Sequence, residues 1–339
     1  MSPLVSGPDH RYLAELRRRT LDALGPVLGR ERDVVLLGTP RHRNLGDALI
    51  WAGGLGYLES LGNRVVHHGD SGRYRDEHSK TFPADAILVL HGGGNLGDRY
   101  PSEEGFRRHV VRTLGHREIV VLPQTMGYRD PAAERAAYAD YRSADHLTIF
   151  LRDEPSLTKA RTRMPDVRWS YCPDVAFGAP ITPTGPSAGG RVAVVARNDD
   201  ERAEGDVNVT SESDWQISRP NQIVWQVAMA IGRIERRLPS PRRPSAAVRA
   251  ANRVLLELNV GAARHQYDGA AAVATNRLHA HVLACLLGIP HFVADTADGK
   301  VAPIFREYSG GFSTAHFAES LSAAIRSAAL LAGERLKES

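Results

Sequence analysis

The octapeptide HGGGNLGD at residues 91–98 directly follows an apolar run, AILVL, at residues 86–90. A short apolar run of this kind is typical of a buried strand. The three glycines and the asparagine after it predict a loop that lies close against a ligand, because glycine has no Cβ atom. A second Asn-Leu-Gly-Asp tetrapeptide, at residues 44–47, follows the apolar residues 34–37. Ligands bind at the carboxyl ends of strands in open α/β sheets, so we expect both tetrapeptides to face one crevice.

Strand-like and helix-like segments alternate on both sides of this octapeptide, which predicts parallel sheets with helices on both faces. In the first half the predicted strands are residues 34–37, 64–67, 86–90, 118–122 and 147–151. The Pro-, Gly- and Ser-rich residues 179–190 predict a linker between two halves. In the second half the predicted strands are residues 191–196, 270–274 and 291–294. Residues 123–127 are predicted as a loop and residues 314–331 as the last helix.

The length and charge of the chain limit the class of protein. A chain of 339 residues favours two domains. The net charge of +4 is too small to indicate a nucleic-acid partner. It fits an anionic substrate, loose contact with an anionic membrane surface, or an ordinary solvated surface. The amphipathic residues 12–28, with their run of three arginines, leave the same choice between a solvated face and membrane contact.

Cysteine usage and targeting signals point to the cytoplasm. The two cysteines, Cys172 and Cys285, are far apart and lack metal-type spacing, so neither a disulfide framework nor a cysteine-based zinc site is expected. No segment approaches the roughly 20 apolar residues of a membrane span. The first 20 residues lack the apolar core of a signal peptide. We therefore expect a cytoplasmic protein, with peripheral contact at the inner face of the membrane as the alternative.

Six segments, in chain order between residues 34 and 308, resemble the polysaccharide pyruvyl transferase family. They are NLGDALI, GGGNLGD, LPQTMG, LRDEPSL, VVARNDDE and TNRLHAHVLACLLGIPHFVADTADGK. The resemblance implies an enzyme that takes the enolpyruvyl group of phosphoenolpyruvate and installs it as a ketal across two sugar hydroxyls, releasing phosphate. It implies no cofactor, since phosphoenolpyruvate is a co-substrate. The acceptor would be a hexose of a cell-surface polysaccharide or of its lipid-linked precursor.

The resemblance also implies an architecture similar to GT-B glycosyltransferases, with two Rossmann-like domains facing a central cleft. On this basis residues 1–182 form the N-terminal domain on the acceptor side, and residues 190–310 form the C-terminal domain on the phosphoenolpyruvate side. Residues 311–339 contain a C-terminal helix that packs back on the first domain. The sequence leaves the oligomeric state open.

The chain departs from the family pattern at two places. Asn276 stands before Arg-Leu-His where the family often has Asp. The segment DTADGK at residues 295–300 replaces a stretch close to Asp-Asn-Ser-Tyr-Gly-Lys. The missing tyrosine bears on the identity of the substrate more than on the fold.

Four basic side chains and a histidine that can become cationic collect at the predicted strand ends, where they suit the phosphate and carboxylate of phosphoenolpyruvate. They are Arg152, Arg197, Arg277, His279 and Lys300. By resemblance, Arg277 and His279 match the family's Arg-Leu-His motif, and the other two arginines match family motifs of their own. His279 also suits proton transfer, because imidazole titrates near neutral pH. Local ion pairs are the alternative for Arg152 and Arg197, and a helix-start cap is the alternative for Arg277.

The two tetrapeptides supply the candidate acceptor site. Asp47 and Asp98 are candidates for binding or deprotonating sugar hydroxyls, with helix capping or loop hydrogen bonding as the alternative. Asn44 belongs to the same wall of the crevice. The backbone N–H groups of Gly93, Gly94 and Asn95 would orient the acceptor or stabilise charge.

No metal site is expected, since the histidines form no recognisable cluster and His279 and His281 point to different faces of a helix. The histidines that form no such cluster are His42, His67, His68, His91 and His281. Three other functions stay open. They are a nucleotide-sugar glycosyltransferase of the same fold, a non-catalytic glycan-binding or scaffold protein, and an enzyme acting on a small glycoside or another hydroxylated metabolite.

Overall fold

The strands form two parallel sheets in the computed structural model, which describes residues 7–40, 44–72, 74–196, 219–237 and 246–333. The first sheet contains β1 (Asp33–Leu37), β2 (Arg64–Gly69), β3 (Ile87–Leu90), β4 (Gly93–Leu96), β5 (Ile119–Met126), β6 (Leu147–Leu151) and β7 (Arg168–Tyr171). The second contains β8 (Arg191–Val195), β9 (Ala270–Thr275), β10 (His291–Ala294) and β11 (Ala315–Ala318). The first sheet has the order β2-β1-β3-β5-β6-β7 with β4 beside β5, and the second has the order β11-β10-β9-β8.

Helices connect the strands, which confirms the predicted mixed α/β class. They are α1 (Pro8–Leu28), α2 (Leu45–Ser60), α3 (Asp76–Ser79), α4 (Pro101–Leu114), α5 (Pro131–Tyr141), α6 (Glu154–Arg163), α7 (Arg219–Arg237), α8 (Ala246–His265), α9 (Leu278–Leu287), α10 (Val301–Glu307) and α11 (Leu321–Ala332). Short 3-10 helices occupy Val175–Gly178 and Ser309–Gly311. Within the described ranges, no helix combines the length and apolar composition needed to cross a membrane.

Local sequence explains where the helices that position the site begin. The Asn44 side chain accepts a hydrogen bond from the Gly46 N–H and caps α2. Asp153 caps α6 in the same way, by accepting from the N–H of Ser156. Such caps satisfy N–H groups that have no partner inside the helix. All four residues of β3 are buried, as expected for a parallel strand covered on both faces.

Helix α2 joins the two halves of the molecule. It packs against the short helix Val175–Gly178 and against α8 and α9. One hydrophobic cluster includes Val34 and Val89 of the first sheet together with Val273 and Val293 of the second. Both sheets and α2 therefore share one hydrophobic core.

The loop predicted at residues 123–127 is largely strand, because β5 continues to Met126. β5 pairs with β3 as far as Val121, and Gln124 and Met126 then pair with β4. Pro123, which has no N–H, stands where the partner changes and where the register against β6 shifts. Part of the predicted glycine loop thus becomes β4, which extends the sheet beyond β3.

The prediction for the C-terminal helix is wrong within the described residues. Residues 315–318 form β11 instead of helix, and α11 packs on the second sheet, against β9 and β10. Small side chains allow this close packing, since Ala324 and Ala328 of α11 are buried against Ala272 and Ala274.

The N-terminal helix α1 makes the crossing contacts instead. The hydroxyl of Tyr12 donates to the carbonyl of Tyr308 at 2.6 Å. Asp9 accepts a 2.6 Å hydrogen bond from the N–H of Ser313. Arg17 donates to the carbonyl of Phe177 at 2.8 Å, so this arginine of the basic run binds the first half of the chain instead of lying on a solvated face.

Candidate functional site

A buried ion pair lies at the carboxyl end of β6. Arg152 follows this strand, and its Nη1 lies 2.6 Å from Oδ2 of Asp174, with each side chain only 2% exposed. Nε of Arg152 donates to Oγ1 of Thr125 at 2.9 Å. The other oxygen of Asp174 accepts from the N–H of Ala176. The partner of Arg152 is thus Asp174, 22 residues away, and not an adjacent acidic residue.

His279 lies against this ion pair. It stands in the first turn of α9, and its Nε2 is 3.4 Å from Nη1 of Arg152 and 3.4 Å from Oδ2 of Asp174. The structure thus brings together two predicted site residues, Arg152 and His279. It adds Asp174, which the sequence reasoning missed.

The carboxylate of Asp174 is ionised. Burial by itself raises the pKa of a carboxyl group, but the charge of Arg152 and the hydrogen bond with His279 outweigh it, so the pKa of Asp174 lies below its usual range. The cluster therefore holds a permanent cation, a permanent anion and an imidazole.

The first Asn-Leu-Gly-Asp tetrapeptide and the glycines that precede the second one meet at this cluster. A Cβ atom on Gly46 would lie 2.6 Å from Nδ1 of His279, and a Cβ on Gly94 would lie 3.1 Å from Nη2 of Arg152. Only a residue without a side chain allows such close approach. A Cβ on Gly93 would lie 3.9 Å from Oδ1 of Asp47, so the first tetrapeptide also faces the glycines before the second.

A cavity of about 360 Å³ opens on the first-sheet side of these tetrapeptides. It is lined at the ends of β1 and β3 by Gly38, Thr39, Leu90 and His91. Its other walls include Asp47, Asp70, Asn95, Glu103, Phe106 and Arg107. Met229 of α7 also lines it, so the second half of the chain covers part of the opening. The lining combines carboxylates, an amide and an aromatic ring, which suits a hydroxyl-rich ligand.

A buried network holds the glycine segment in place. Nη1 of Arg107 donates to the backbone carbonyl of Asn95 at 3.3 Å, and Nη2 donates to the Asn95 side chain at 2.5 Å. Arg107 also pairs with Glu104, which accepts hydrogen bonds from the hydroxyls of Tyr128 and Tyr141. Asn95 is therefore fixed by α4 rather than by the loop itself.

Three predicted site residues have other partners. Oδ2 of Asp98 accepts from the N–H groups of Arg129 at 2.9 Å and Asp130 at 2.6 Å. Nζ of Lys300 lies 2.5 Å from Oδ2 of Asp298, which also lies 3.4 Å from Nη1 of Arg99. Nε of Arg277 donates to the carbonyl of Ala196 at 3.1 Å. Arg197 and His42 lie outside the described residues.

The structure also contains a buried cluster of two histidines and a cysteine that the sequence did not predict. His281, Cys285 and His291 are buried with their potential ligand atoms within 4.8 Å of one another. The Nδ1–H of His291 donates to the carbonyl of Ile289 at 2.8 Å, which leaves Nε2 as an acceptor for His281 Nδ1 at 2.7 Å. His281 Nε2 in turn lies 2.7 Å from the hydroxyl of Ser309. A hydrogen-bond chain from Ser309 to Ile289 thus satisfies both rings, and we interpret the cluster as part of the core.

The geometry defines an α/β protein with parallel sheets whose site joins a histidine, a buried ion pair, the first Asn-Leu-Gly-Asp tetrapeptide and the glycines that precede the second. The polysaccharide pyruvyl transferase description matches residues 44–298, which include all of these groups, and the chain belongs to that family.

Curated relatives support the same assignment. The chain is 23% identical over 298 residues to EpsO of Bacillus subtilis (strain 168), which carries the name of a pyruvyl transferase, covering 87% of this chain and 91% of the relative. It is 26% identical over 301 residues to "Pyruvyl transferase 1" of Schizosaccharomyces pombe (strain 972 / ATCC 24843), covering 80% and 68%. An uncharacterized protein of Klebsiella pneumoniae subsp. pneumoniae NTUH-K2044 has a similar crystal structure, with a TM-score of 0.54 at 15% identity over 94% of this chain and 100% of that protein.

Proposed function

We propose that the protein transfers the enolpyruvyl group of phosphoenolpyruvate onto two hydroxyls of a sugar, forms a cyclic ketal and releases phosphate. The family supports pyruvyl transfer to a polysaccharide. The phosphoenolpyruvate donor and the ketal chemistry are inferred from the position of His279, which lies against the Arg152–Asp174 pair next to the start of α2. At this position a proton-transferring group, the Arg152 guanidinium and the N–H groups of a helix start converge.

Phosphoenolpyruvate needs a positive environment for its phosphate and carboxylate. Arg277 stands where β9 meets α9, and its bond to the carbonyl of Ala196 anchors the guanidinium at the end of β8. Arg152 is largely neutralised by Asp174, so we assign the main donor charge to Arg277, with Arg197 and Lys300 as further candidates. The N–H groups at the start of α2 add partial positive charge on the opposite wall.

The reaction forms two C–O bonds at C2 of phosphoenolpyruvate and breaks the C2–O bond to phosphate. Of the two hydroxyl protons lost by the sugar, one ends on the methylene carbon, which becomes a methyl group, and one ends on the departing phosphate. Protonation of the methylene carbon leaves an oxocarbenium-like centre at C2. His279 is the group placed to carry these protons, since an imidazole both gives and accepts a proton near neutral pH.

We place the acceptor sugar in the cavity lined by Asp47, Asn95 and Phe106. Carboxylate and amide groups bind sugar hydroxyls, and the aromatic ring packs against a sugar face. The two sheets then correspond to the acceptor and donor sides of a GT-B-like arrangement. The acceptor is a hexose of a cell-surface polysaccharide or its lipid-linked precursor, modified in the cytoplasm at the inner face of the membrane and without a further cofactor.

One experiment tests the proposal. The protein is incubated with phosphoenolpyruvate and a panel of hexosides, and both free phosphate and a pyruvyl-sized mass gain of the glycoside are measured. His279→Gln is expected to lower turnover on the order of 10²–10⁴-fold. The matched control is His116→Gln, which changes an exposed histidine and leaves turnover unchanged.

The same preparation separates the donor classes. Phosphoenolpyruvate is expected to raise the thermal unfolding temperature, because a ligand that binds only the native state stabilises it. Stabilisation by nucleotide sugars and not by phosphoenolpyruvate would instead show a glycosyltransferase. Phosphoenolpyruvate binding together with no product on any hexoside would point to another hydroxylated acceptor.

A further inference from the structure

The two ring nitrogens of His279 lie in different surroundings. Nε2 is equidistant, at 3.4 Å, from a donor, Nη1 of Arg152, and from an acceptor, Oδ2 of Asp174. The opposite edge of the ring, with Nδ1 and Cγ, lies against Gly46, where an added Cβ atom would be 2.6 Å from Nδ1. One edge therefore faces a charged pair, and the other faces the beginning of α2.

We propose that Arg152 and Asp174 form a charge-switching partner for His279, so that the ring keeps its place when it gains or loses a proton. When the imidazole is neutral, Arg152 donates to Nε2. When the imidazole is protonated, Nε2–H donates to Asp174. The inference rests on the proposed role of His279 in proton transfer, and it makes Asp174 and Gly46 positioning residues of that site.

The geometry of the ion pair supports this double role. Asp174 is held from both sides, by Nη1 of Arg152 at 2.6 Å and by the N–H of Ala176 at 2.9 Å, so its carboxylate does not need to move to accept from His279. The hydroxyl of Tyr308 braces the same groups, since it donates to the carbonyl of Arg152 at 3.1 Å and accepts from the N–H of Asp174 at 3.2 Å. A preorganised partner needs no rearrangement during the reaction.

Gly46 leaves the space that the His279 ring occupies beside the ion pair. With the Cβ position only 2.6 Å from Nδ1 and 3.0 Å from Cγ of His279, any side chain at residue 46 would push the ring away from the ion pair. This contact gives a physical reason for glycine in the first Asn-Leu-Gly-Asp tetrapeptide, where φ is not positive and another residue would otherwise fit.

The charge on His279 depends on all its neighbours. Charged or titratable side chains stand on each adjoining element: Arg152 after β6, Asp174 before the short helix, Asp47 on α2, Arg277 before α9 and Tyr308 after α10. Of these, Asp174 is the buried anion within 3.4 Å of Nε2. Removing its charge selectively disfavours the imidazolium.

The first test is Asp174→Asn, which keeps the shape and removes the charge. We expect kcat to fall on the order of 10²-fold, while KM for phosphoenolpyruvate stays equal or falls, because Arg152 is no longer neutralised. The limb of the pH–rate profile that reports the protonated imidazole should move to lower pH. A folded variant with an unshifted profile overturns the inference but leaves the proposed function standing.

The second test does not disturb the buried charges. Gly46→Ala is expected to lower kcat at least tenfold in a folded protein, because the added methyl displaces the ring. Gly105→Ala in α4 is the matched control, since a Cβ there meets nothing within 4 Å. If both alanine variants are equally active, Gly46 does not position the His279 ring.

A third measurement is independent of turnover. The ¹⁵N resonances of the His279 imidazole, assigned by their loss in His279→Gln, report which nitrogen carries a proton. For the neutral imidazole of the wild-type protein we expect Nε2 to be the acceptor and Nδ1 to carry the proton. A proton on Nε2 under these conditions overturns the role of Arg152, whether or not pyruvyl transfer is observed and even if Asp174→Asn does not fold.

Discussion

Asp98 ends the second Asn-Leu-Gly-Asp tetrapeptide, yet its carboxylate braces the backbone. One oxygen, Oδ2, accepts from two consecutive N–H groups, those of Arg129 and Asp130, just before α5. The bond ties the glycine segment to the turn that follows β5. Among the alternatives that the sequence left open for Asp98, this geometry favours loop hydrogen bonding over proton abstraction.

Asp98→Asn separates these two roles. An amide oxygen still accepts hydrogen bonds but cannot take a proton, so we expect turnover to stay within a few-fold of wild type. Asp98→Ala removes the acceptor and should cost about 1–3 kcal/mol of stability, because it leaves backbone N–H groups without their partner. Steady-state kinetics and urea unfolding of both variants check this. A loss of 10²-fold or more in well-folded Asp98→Asn would restore Asp98 as a general base.

At the residue scale, the sequence pointed to Arg152 and His279, which the structure brings together, but not to Asp174, which contacts both. Arg152 was predictable because it stands directly after a recognisable strand, and Arg277 and His279 because they match a family motif at the junction of a strand and a helix. Asp174 was not, since it follows β7, a strand of only four residues that the sequence pattern did not reveal. Its partner Arg152 is 22 residues away, and no local spacing marks such a pair. Its position before a short turn was the one available signal.

Helix α2 depends on glycine for its packing. A Cβ on Gly53 would lie 1.8 Å from the carbonyl oxygen of Val175, and a Cβ on Gly56 would lie 2.7 Å from that of Gly178. The glycines let the α2 backbone lie directly on the short helix that follows Asp174. The position of α2, and with it that of Gly46 against His279, therefore depends on this contact.

Gly53→Ala is expected to destabilise the protein by about 1–3 kcal/mol or more, because the methyl group overpacks against backbone that cannot rotate away. Gly105→Ala is the matched control in the exposed part of α4, where alanine should stabilise by about 0.5–1 kcal/mol. Urea unfolding of the two variants gives the comparison. Equal stabilities would show that the close approach of α2 to Val175 does not constrain the fold.

At the element scale, the predicted ends of strands and helices were wrong where a tertiary partner determines the secondary structure. The apolar residues after Thr314 fit a helical pattern, but His316 and Phe317 pair with β10 at the sheet edge, and the helix begins only after the Ser320 cap. Similarly, β5 extends past Pro123 because β4 supplies a new partner. Neither partner is visible in the local pattern, whereas the alternation of elements correctly predicted the parallel sheets.

At the scale of the whole molecule, the C-terminal helix was assigned to the wrong partner, and no partner was predicted for the N-terminal helix. The resemblance implied that the last helix returns to the first half, but α11 covers the second sheet with a face of small alanines. Helix α1 contacts both halves instead, because its Asp9 accepts from the N–H of Ser313 and its Arg17 donates to the carbonyl of Ala179. Amphipathic spacing predicts that a helix has a buried face but does not say which surface it covers.

Three buried histidines in separate elements make the stability of the whole fold depend on pH. They are His67 in β2, His281 in α9 and His291 in β10. Burial lowers the pKa of His67 and of His291 to about 4, and it lowers the pKa of His281 well below its ordinary value. All three are therefore neutral in the native protein near pH 7.

We expect the free energy of unfolding to fall as the pH drops from about 6.5 to 4. In the unfolded chain a histidine titrates near 6.5, so over this range the unfolded state binds more protons than the native state. Each buried histidine contributes a slope of up to ~1.4 kcal/mol per pH unit. Urea unfolding at several pH values measures it. His67→Gln should reduce the slope by one histidine's share, whereas His116→Gln, at an exposed position, should leave it unchanged. An unaltered slope in His67→Gln would mean that His67 is protonated in the native state.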